Sequence, residues 1–182
     1  MTATDLALLV IRIILGITFL MHGAQKLFGW FGGGGMTETT GMLRHLGLAH
    51  PAPFAWLLGL VEFVGGFLIL IGLLTPLVAA LLISDMLVAI VHVHGKNGFF
   101  NMKGGYEYNL NLIGLCLGLA LIGAGTASVD YQVLGTAMPL DQLPAWVTLV
   151  VVIAALGGFL LTEFDRYAAG VRRAGTDQQQ RA

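Results

Sequence analysis

The sequence predicts an all-α, polytopic transmembrane helix bundle, and three observations carry the prediction. Hydrophobic residues make up 57% of the 182 residues and charged residues only 10%, where a soluble domain carries roughly 25% charge. The apolar residues gather into five runs, each close to the ~20 that a helix needs to cross a ~30 Å hydrocarbon core. Of the nine Lys and Arg residues, eight fall on one side of those runs.

The first run covers about residues 6–28 and ends at a glycine string, Gly32 to Gly35. The second covers about 54–74, just after Pro51 and Pro53, and the third about 76–93. The fourth covers about 106–122 and the fifth about 144–161. Proline is tolerated in a helix's first turn, where its missing N–H has no partner to lose. Thr75-Pro76 therefore joins the second and third spans as a tight antiparallel pair. Residues 37–46 suit a short interfacial helix, with Met42, Leu43 and Leu46 on one face beside Arg44 and His45. The expected organisation is a four-helix core over 1–131, an added loop and fifth transmembrane helix over 132–162, and a polar cytoplasmic tail over 163–182, mobile from Asp165 onward.

Five spans place Lys26, Arg44, Lys96, Lys103, Arg166, Arg172, Arg173 and Arg181 on one side. Asp5, Asp130 and Asp141 fall on the other side, with no Lys or Arg. By the positive-inside rule the amino terminus is outside and the tail cytoplasmic, as for a multi-pass protein of a bacterial inner membrane. No basic residue precedes Leu6 and the apolar run exceeds a signal-peptide core, so the first helix is expected to remain in the mature protein. The single cysteine, Cys116, excludes an intramolecular disulfide and a paired-thiol redox motif. No basic stripe offers a nucleic-acid surface. The lipid bilayer is the one partner that the composition demands; an oligomer is left open.

Ionisable groups within a span are costly and mark candidate sites. Arg12, Glu62 and Asp85 are the deep ones. Glu62 and Asp85 each lie about nine residues into their spans, ~13 Å deep at 1.5 Å per residue. One cation and two acids at overlapping depth suggest a buried charge cluster, whose role is either to lock the bundle or to serve chemistry. Nearer the cytoplasmic ends, His22, Gln25 and Lys26 share a face of the first helix. Asp85, Ala89 and His92 form a stripe on the third, and Glu107, Asn111, Gly114 and Gly118 a stripe on the fourth. Gly59, Glu62, Gly65 and Gly66 do the same on the second, so the helices are expected to enclose a polar interior that opens toward the cytoplasm.

Such an interior suits a quinone headgroup, with His22, Lys26, Tyr106 and Glu107 as donors, acceptors or proton carriers. His22, His92, His94 and Glu107 could supply nitrogen and oxygen ligands for a metal there. His92 and His94, two apart, cannot share a helical face, so a metal is not favoured. A haem between His22 and His92 would rest on two lone histidines and is not favoured either.

Four short motifs in order resemble the DoxX family of small membrane proteins. They are Arg12 followed by His22-Gly23-Ala24-Gln25-Lys26, then Glu62-Phe63-Val64-Gly65-Gly66 with Leu70-Ile71-Gly72-Leu73. Next come His94-Gly95-Lys96-Asn97-Gly98-Phe99-Phe100 leading to Gly104-Gly105-Tyr106-Glu107-Tyr108, and last Gly123-Ala124-Gly125 with Ser128-Val129-Asp130, where Ala124 and Val129 depart mildly. The resemblance covers about residues 6–131 and implies a four-helix membrane bundle, so that the fifth span is an addition. It also implies a redox-linked role. Members include a membrane subunit of thiosulfate:quinone oxidoreductase, and others are linked to complexes handling thiol and oxidative stress with a sulfurtransferase and superoxide dismutase.

Three functions follow as expectations. The first is a quinone-linked subunit of an oxidoreductase complex, with His22, Lys26 and Glu107 as catalytic groups and Gln25, His92, Tyr106 and Asn111 beside the bound headgroup. The second is a non-catalytic scaffold that recruits soluble oxidoreductases. The third is a small transporter or proton pathway through Arg12, Glu62 and Asp85.

Overall fold

A computed structural model describes residues 1–181, with side chains described over 1–171. The chain is all-α: α1 (Ala3–Phe28), α2 (Gly35–His45), α3 (Pro51–Ile71), α4 (Thr75–Ala89), α5 (Glu107–Ile122), α6 (Val129–Leu134) and α7 (Ala145–Arg181). A π turn at Ile90–His94 extends α4, so its helical stretch runs Thr75–Asn97. That stretch, α1, α3 and Ala145–Val171 of α7 are long and apolar enough to cross a membrane, with mean hydropathies of 2.1 to 2.3. With 16 residues α5 is shorter, yet it joins the two ends of the bundle. Glu107 lies beside the 99–101 loop at one end, and Ala124 beside Arg12 at the other.

Local chemistry explains the helix ends. Thr2 and Asp5 form a capping box at the start of α1, each side chain accepting from the other's backbone N–H. Proline occupies the first turn of both α3 and α4. Helix α3 stops at Gly72, whose φ of +70° suits a residue without a Cβ.

The helices then pack through small residues, as lipid-embedded helices do when dispersion and not water drives association. A Cβ added to Gly16 would stand 2.8 Å from the Gly66 carbonyl oxygen, and one added to Gly66 would stand 2.7 Å from that of Gly16. Helices α1 and α3 therefore cross at backbone contact. Gly65 faces α4 instead, meeting Val78 and Leu82. Leu15, Phe19, Ile69, Leu82 and Leu119 fill the centre between α1, α3, α4 and α5. Helix α7 lies outside this core against α4, where the Phe159 N–H donates to Ser84 Oγ at 3.0 Å.

At the end of the bundle that holds the N-terminus, Arg12 is almost fully buried. Its Nε donates to the Ile69 carbonyl at 3.2 Å and its Nη2 to that of Leu70 at 3.0 Å. Its Nη1 donates to Ala124 and Ala127 at 2.8 and 3.0 Å. Two of these acceptors are carbonyls left over at the C-terminus of α3, which a cation satisfies best. Asp130, also buried, accepts from the N–H groups of Leu74 and Thr75 at 2.8 and 3.0 Å. It thereby holds the left-handed Leu74 (φ +52°) in the α3–α4 turn. Asp5 Oδ1 accepts from Thr126 N–H at 2.9 Å. One loop, residues 123–130, is thus tied to α1, α3 and α4 together.

This corrects the expected deep cluster in one respect. Arg12 does not join Glu62 and Asp85; it is consumed by carbonyls at the opposite end, because a guanidinium with five N–H donors matches several acceptors that a lone carboxylate would not exhaust. The fifth span differs too. Its helix does not stop near 161: Asp165 is buried, and accepts from Ala49 N–H at 2.7 Å and His50 N–H at 3.1 Å. Residues 165–171 are therefore helix, docked through Asp165, Arg166 and the buried Ala169, not the mobile tail expected there. The side chains of 172–182, the rest of that tail, lie outside the described residues.

Replacing Arg12 with leucine leaves buried carbonyls without donors and should lower stability by about 2–4 kcal/mol, the scale of losing charge-assisted hydrogen bonds. Arg12→Lys should recover only part of that, since one ammonium cannot reach all four acceptors. Unfolding midpoints in an SDS titration measure both, and a wild-type midpoint for Arg12→Lys would contradict the account.

Candidate functional site

A cavity of about 590 Å³ opens among α1, α2, α3, α4, α5 and α7, toward the end of the bundle away from the N-terminus. That volume is within the usual range for small-molecule sites. Most of its lining is apolar, from Leu43, Leu57, Val61, Leu81, Leu112 and Ile153 among others. The polar groups converge on one wall.

Lys26 of α1 forms an ion pair with Glu62 of α3. The pairing follows from the crossing of these helices, since Gly59, one turn before Glu62, lets the Lys26–Leu27 turn approach closely. Glu62 is 2% exposed, so the ammonium supplies a charge that water cannot. Asp85 of α4 neighbours Glu62 and lines the same wall at 8% exposure. Its Oδ2 is fully shielded and has no hydrogen-bond partner among the described residues. A buried polar atom without a partner costs about 1–3 kcal/mol, and native folds keep few of them. Two carboxyl groups thus face a single ammonium beside an apolar cavity.

His22, Tyr108 and Asn109 complete the wall. His22 Nδ1 lies 2.8 Å from the Thr18 carbonyl oxygen, which can only accept, so Nδ1 carries the proton and Nε2 is left as the acceptor. The His22 and Tyr108 rings lie 6.1 Å apart between centroids. Asn109 is buried and its Nδ2 donates to Met86 Sδ at 3.4 Å, a weak acceptor.

Of the residues singled out in the sequence, His22, Lys26, Glu62 and Asp85 come together here. Gln25 does not: its Nε2 donates to the Phe31 carbonyl at 3.2 Å and steadies the loop after α1. Tyr106, just before α5, packs edge-on against Phe99 at 5.6 Å, and Glu107, the first residue of α5, accepts from Asn101 N–H at 3.0 Å. Asn111 is exposed on the outside of the bundle, and Gly114 and Gly118 would meet nothing within 4 Å if given a Cβ. The stripe chosen on α5 was the outer one; the inward stripe is Asn109, Leu112, Cys116 and Leu119.

His92 is also displaced from the expected stripe. The π turn at Ile90–His94 breaks the 3.6-residue period assumed from Asp85 onward. His92 therefore faces α7, accepting from Arg166 Nη1 at its Nδ1 (2.7 Å) and meeting Glu163 at its Nε2 (2.5 Å). His94, not His92, lines the cavity, and His22 and His92 are not brought together. Among the described residues no three His, Cys, Asp or Glu side chains are grouped to hold a metal ion.

His22, Lys26 and Glu62 build the polar wall, while Arg12 and Asp130 knit the opposite end. Residues 7–95 match the family model described as DoxX. A protein of Bacillus subtilis (strain 168) named "Putative oxidoreductase CatD" is 30% identical over 126 residues, 69% of this chain and 86% of that one. The chain belongs to the DoxX family. Its DoxX relatives also include an uncharacterized membrane protein, Rv3486, of Mycobacterium tuberculosis (strain ATCC 25618 / H37Rv), 33% identical over 132 residues (66% of this chain, 77% of that one). An uncharacterized Haemophilus influenzae protein is 31% identical over 123 residues, 66% of this chain and 85% of its own length. No solved structure matches this DoxX chain.

The Lys26–Glu62 pair should behave as a coupled unit. Lys26→Met and Glu62→Gln should each destabilise the protein, and the double variant by less than the two together, with a coupling of about 1–3 kcal/mol. Additive SDS-unfolding shifts would show that the pair does not form.

Proposed function

We propose that this DoxX protein is the membrane subunit of a redox-linked complex and binds a quinone headgroup at the wall formed by Lys26, Glu62, Asp85, Tyr108 and Asn109. The observation that carries the reading is Asp85, a nine-tenths buried carboxyl that lines an apolar cavity beside a second carboxyl and one ammonium and whose shielded Oδ2 has no hydrogen-bond partner among the described residues. A ligand that pairs with it must bring a polar head on an apolar body.

A quinone fits that description. Its head interconverts between carbonyl and hydroxyl forms with two electrons and two protons. Lys26, Tyr108 and Asn109 supply N–H and O–H donors for carbonyl oxygens. Asp85 and Glu62 accept from hydroxyls and can hold or release a proton at the wall, with His22 Nε2 as a further proton acceptor. The apolar lining excludes water and strengthens each of these contacts. This chain has one cysteine, buried in the core, so electrons must come from a partner that carries the donor cofactor. The name of the Bacillus subtilis relative supports a redox role.

The orientation proposed is amino terminus outside and carboxyl terminus cytoplasmic in a bacterial inner membrane. Lys26, Arg44, Lys96, Lys103 and Arg166 lie at the cavity end of the bundle, and Asp5 and Asp130 at the other, which is the positive-inside pattern. The cavity then lies in the cytoplasmic half. A fluorescent reporter fused after Ala182 should fold and fluoresce, and an alkaline phosphatase fused there should be inactive; the reverse pair of results would invert the topology.

Purified protein in lipid nanodiscs should bind decylubiquinone, read as a rise in Tm and by calorimetric titration. Asp85→Asn or Glu62→Gln should weaken that binding by about tenfold or more, as the loss of one buried polar contact does. Wild-type affinity in both variants would remove the wall from the function.

A further inference from the structure

Helix α7 supplies a further face of the cavity. Ile153, Ala154, Gly157, Gly158, Leu161 and Thr162 all line it. Two glycines stand within this face and do different things. A Cβ on Gly158 would come 2.7 Å from Ser84 Oγ, so its bareness lets α7 seat against α4. A Cβ on Gly157 would meet nothing within 4 Å. Gly157 is therefore a notch in the α7 face of the cavity, not a packing requirement.

The placement of α7 is fixed independently of that notch. Ser84 Oγ accepts from Phe159 N–H. One turn or two further on, Asp165 takes the N–H groups of Ala49 and His50, Arg166 Nε donates to the Leu46 carbonyl at 2.9 Å, and Glu163 meets His92. These contacts pin the helix to α4 and to the α2–α3 connection, on either side of the cavity. Helix α7 also begins beyond residues 7–95, which match the family model. The 126 residues shared with the Bacillus subtilis relative are 69% of this chain but 86% of that one, so this chain is the longer.

We propose that α7 is the specificity-determining wall of this cavity. The head of an amphiphilic ligand would be held at Lys26, Glu62 and Asp85, and its apolar tail would lie in the notch at Gly157, where the free width sets which tails are accepted. The inference rests on the headgroup reading above and adds to it a tail site on a different helix. The notch is paired with a second feature that points to a ligand, the unpartnered and nine-tenths buried Asp85 in the same cavity.

The test uses the full chain in nanodiscs and two probes with the same head, decylubiquinone and the tailless 2,3-dimethoxy-5-methyl-1,4-benzoquinone. Gly157→Leu fills the notch. It should weaken decylubiquinone binding by about tenfold or more, the scale for changes of a few methylenes in an apolar pocket, and leave the tailless probe within about twofold. Ala154→Leu, one turn away on the same face, should act in the same direction and serves if Gly157→Leu does not fold. Val152→Phe, on the exposed side of α7 turned away from the lining residues, should change neither probe. Wild-type decylubiquinone binding in the folded notch variants would overturn the tail site and leave the head site standing. Equal loss of both probes would also overturn it, because the head itself would then reach α7. If the wild-type chain binds neither probe, the headgroup reading fails and the tail site with it; Asp85→Asn on the tailless probe tells that failure from failure of the notch alone.

Discussion

In a hydrocarbon core every charged or polar side chain has to find its partner inside the protein, because no water is there to replace it. Nearly everything distinctive in this bundle answers that constraint. Arg12 is answered by four backbone carbonyls, and those carbonyls belong to the end of α3 and to the 123–130 loop. A requirement of one side chain thus fixes where a whole loop runs. Lys26 and Glu62 answer each other across the α1–α3 crossing, and that crossing is close only because Gly16, Gly59 and Gly66 lack side chains. Asp85 is the charged group whose requirement the chain leaves partly unmet among the described residues.

The two ends of the molecule accordingly do different work. At the Arg12 end the charged groups are spent within the fold, as in a structural knot: Asp130 caps α4, Asp5 caps α1 and holds Thr126, and Arg12 closes the set, with Thr75 Oγ1 a shielded oxygen left without a partner among the described residues. At the Lys26 end the polar groups stand around a space of about 590 Å³. Saturated hydrogen bonding gives rigidity, and unsaturated hydrogen bonding beside a cavity gives a place for something else to bind. Helix α7 adds a further, glycine-containing face to this space through Ile153, Gly157 and Leu161.

Much of this was legible in the residues. Apolar runs and prolines locate the spans, because hydrocarbon thickness and first-turn tolerance leave few choices. Glu62 and Asp85 stand out as costly groups, and both line the cavity. What the sequence does not convey is which partner a charged group will choose. Arg12 is at a depth that suits an acid, yet its fork of donors is better matched by helix-end carbonyls 57 and 58 residues away in the chain. Nor does it convey phase. Asn109 and Asn111 are two residues apart on a helix apolar all round, so composition cannot say which one points inward. A π turn at residues 90–94 shifts His92 toward α7, and no local residue pattern announces it. The continuation of α7 past Leu161 was hidden by its polar composition, which reads as solvated tail until Asp165 and Arg166 find partners 115 to 120 residues earlier.

The central claim is that the cavity, and not the outer surface of the bundle, is where the ligand is held. It is tested most directly by photolabelling the protein in nanodiscs with an azido-quinone and mapping the modified residues by mass spectrometry. The account predicts label on the cavity faces of α4 and α7, around Asp85 and residues 153–162, displaced by excess decylubiquinone. Displaceable label confined to the outer stripe of α5 around Asn111, or to the loop carrying Phe99 and Tyr106, would contradict it.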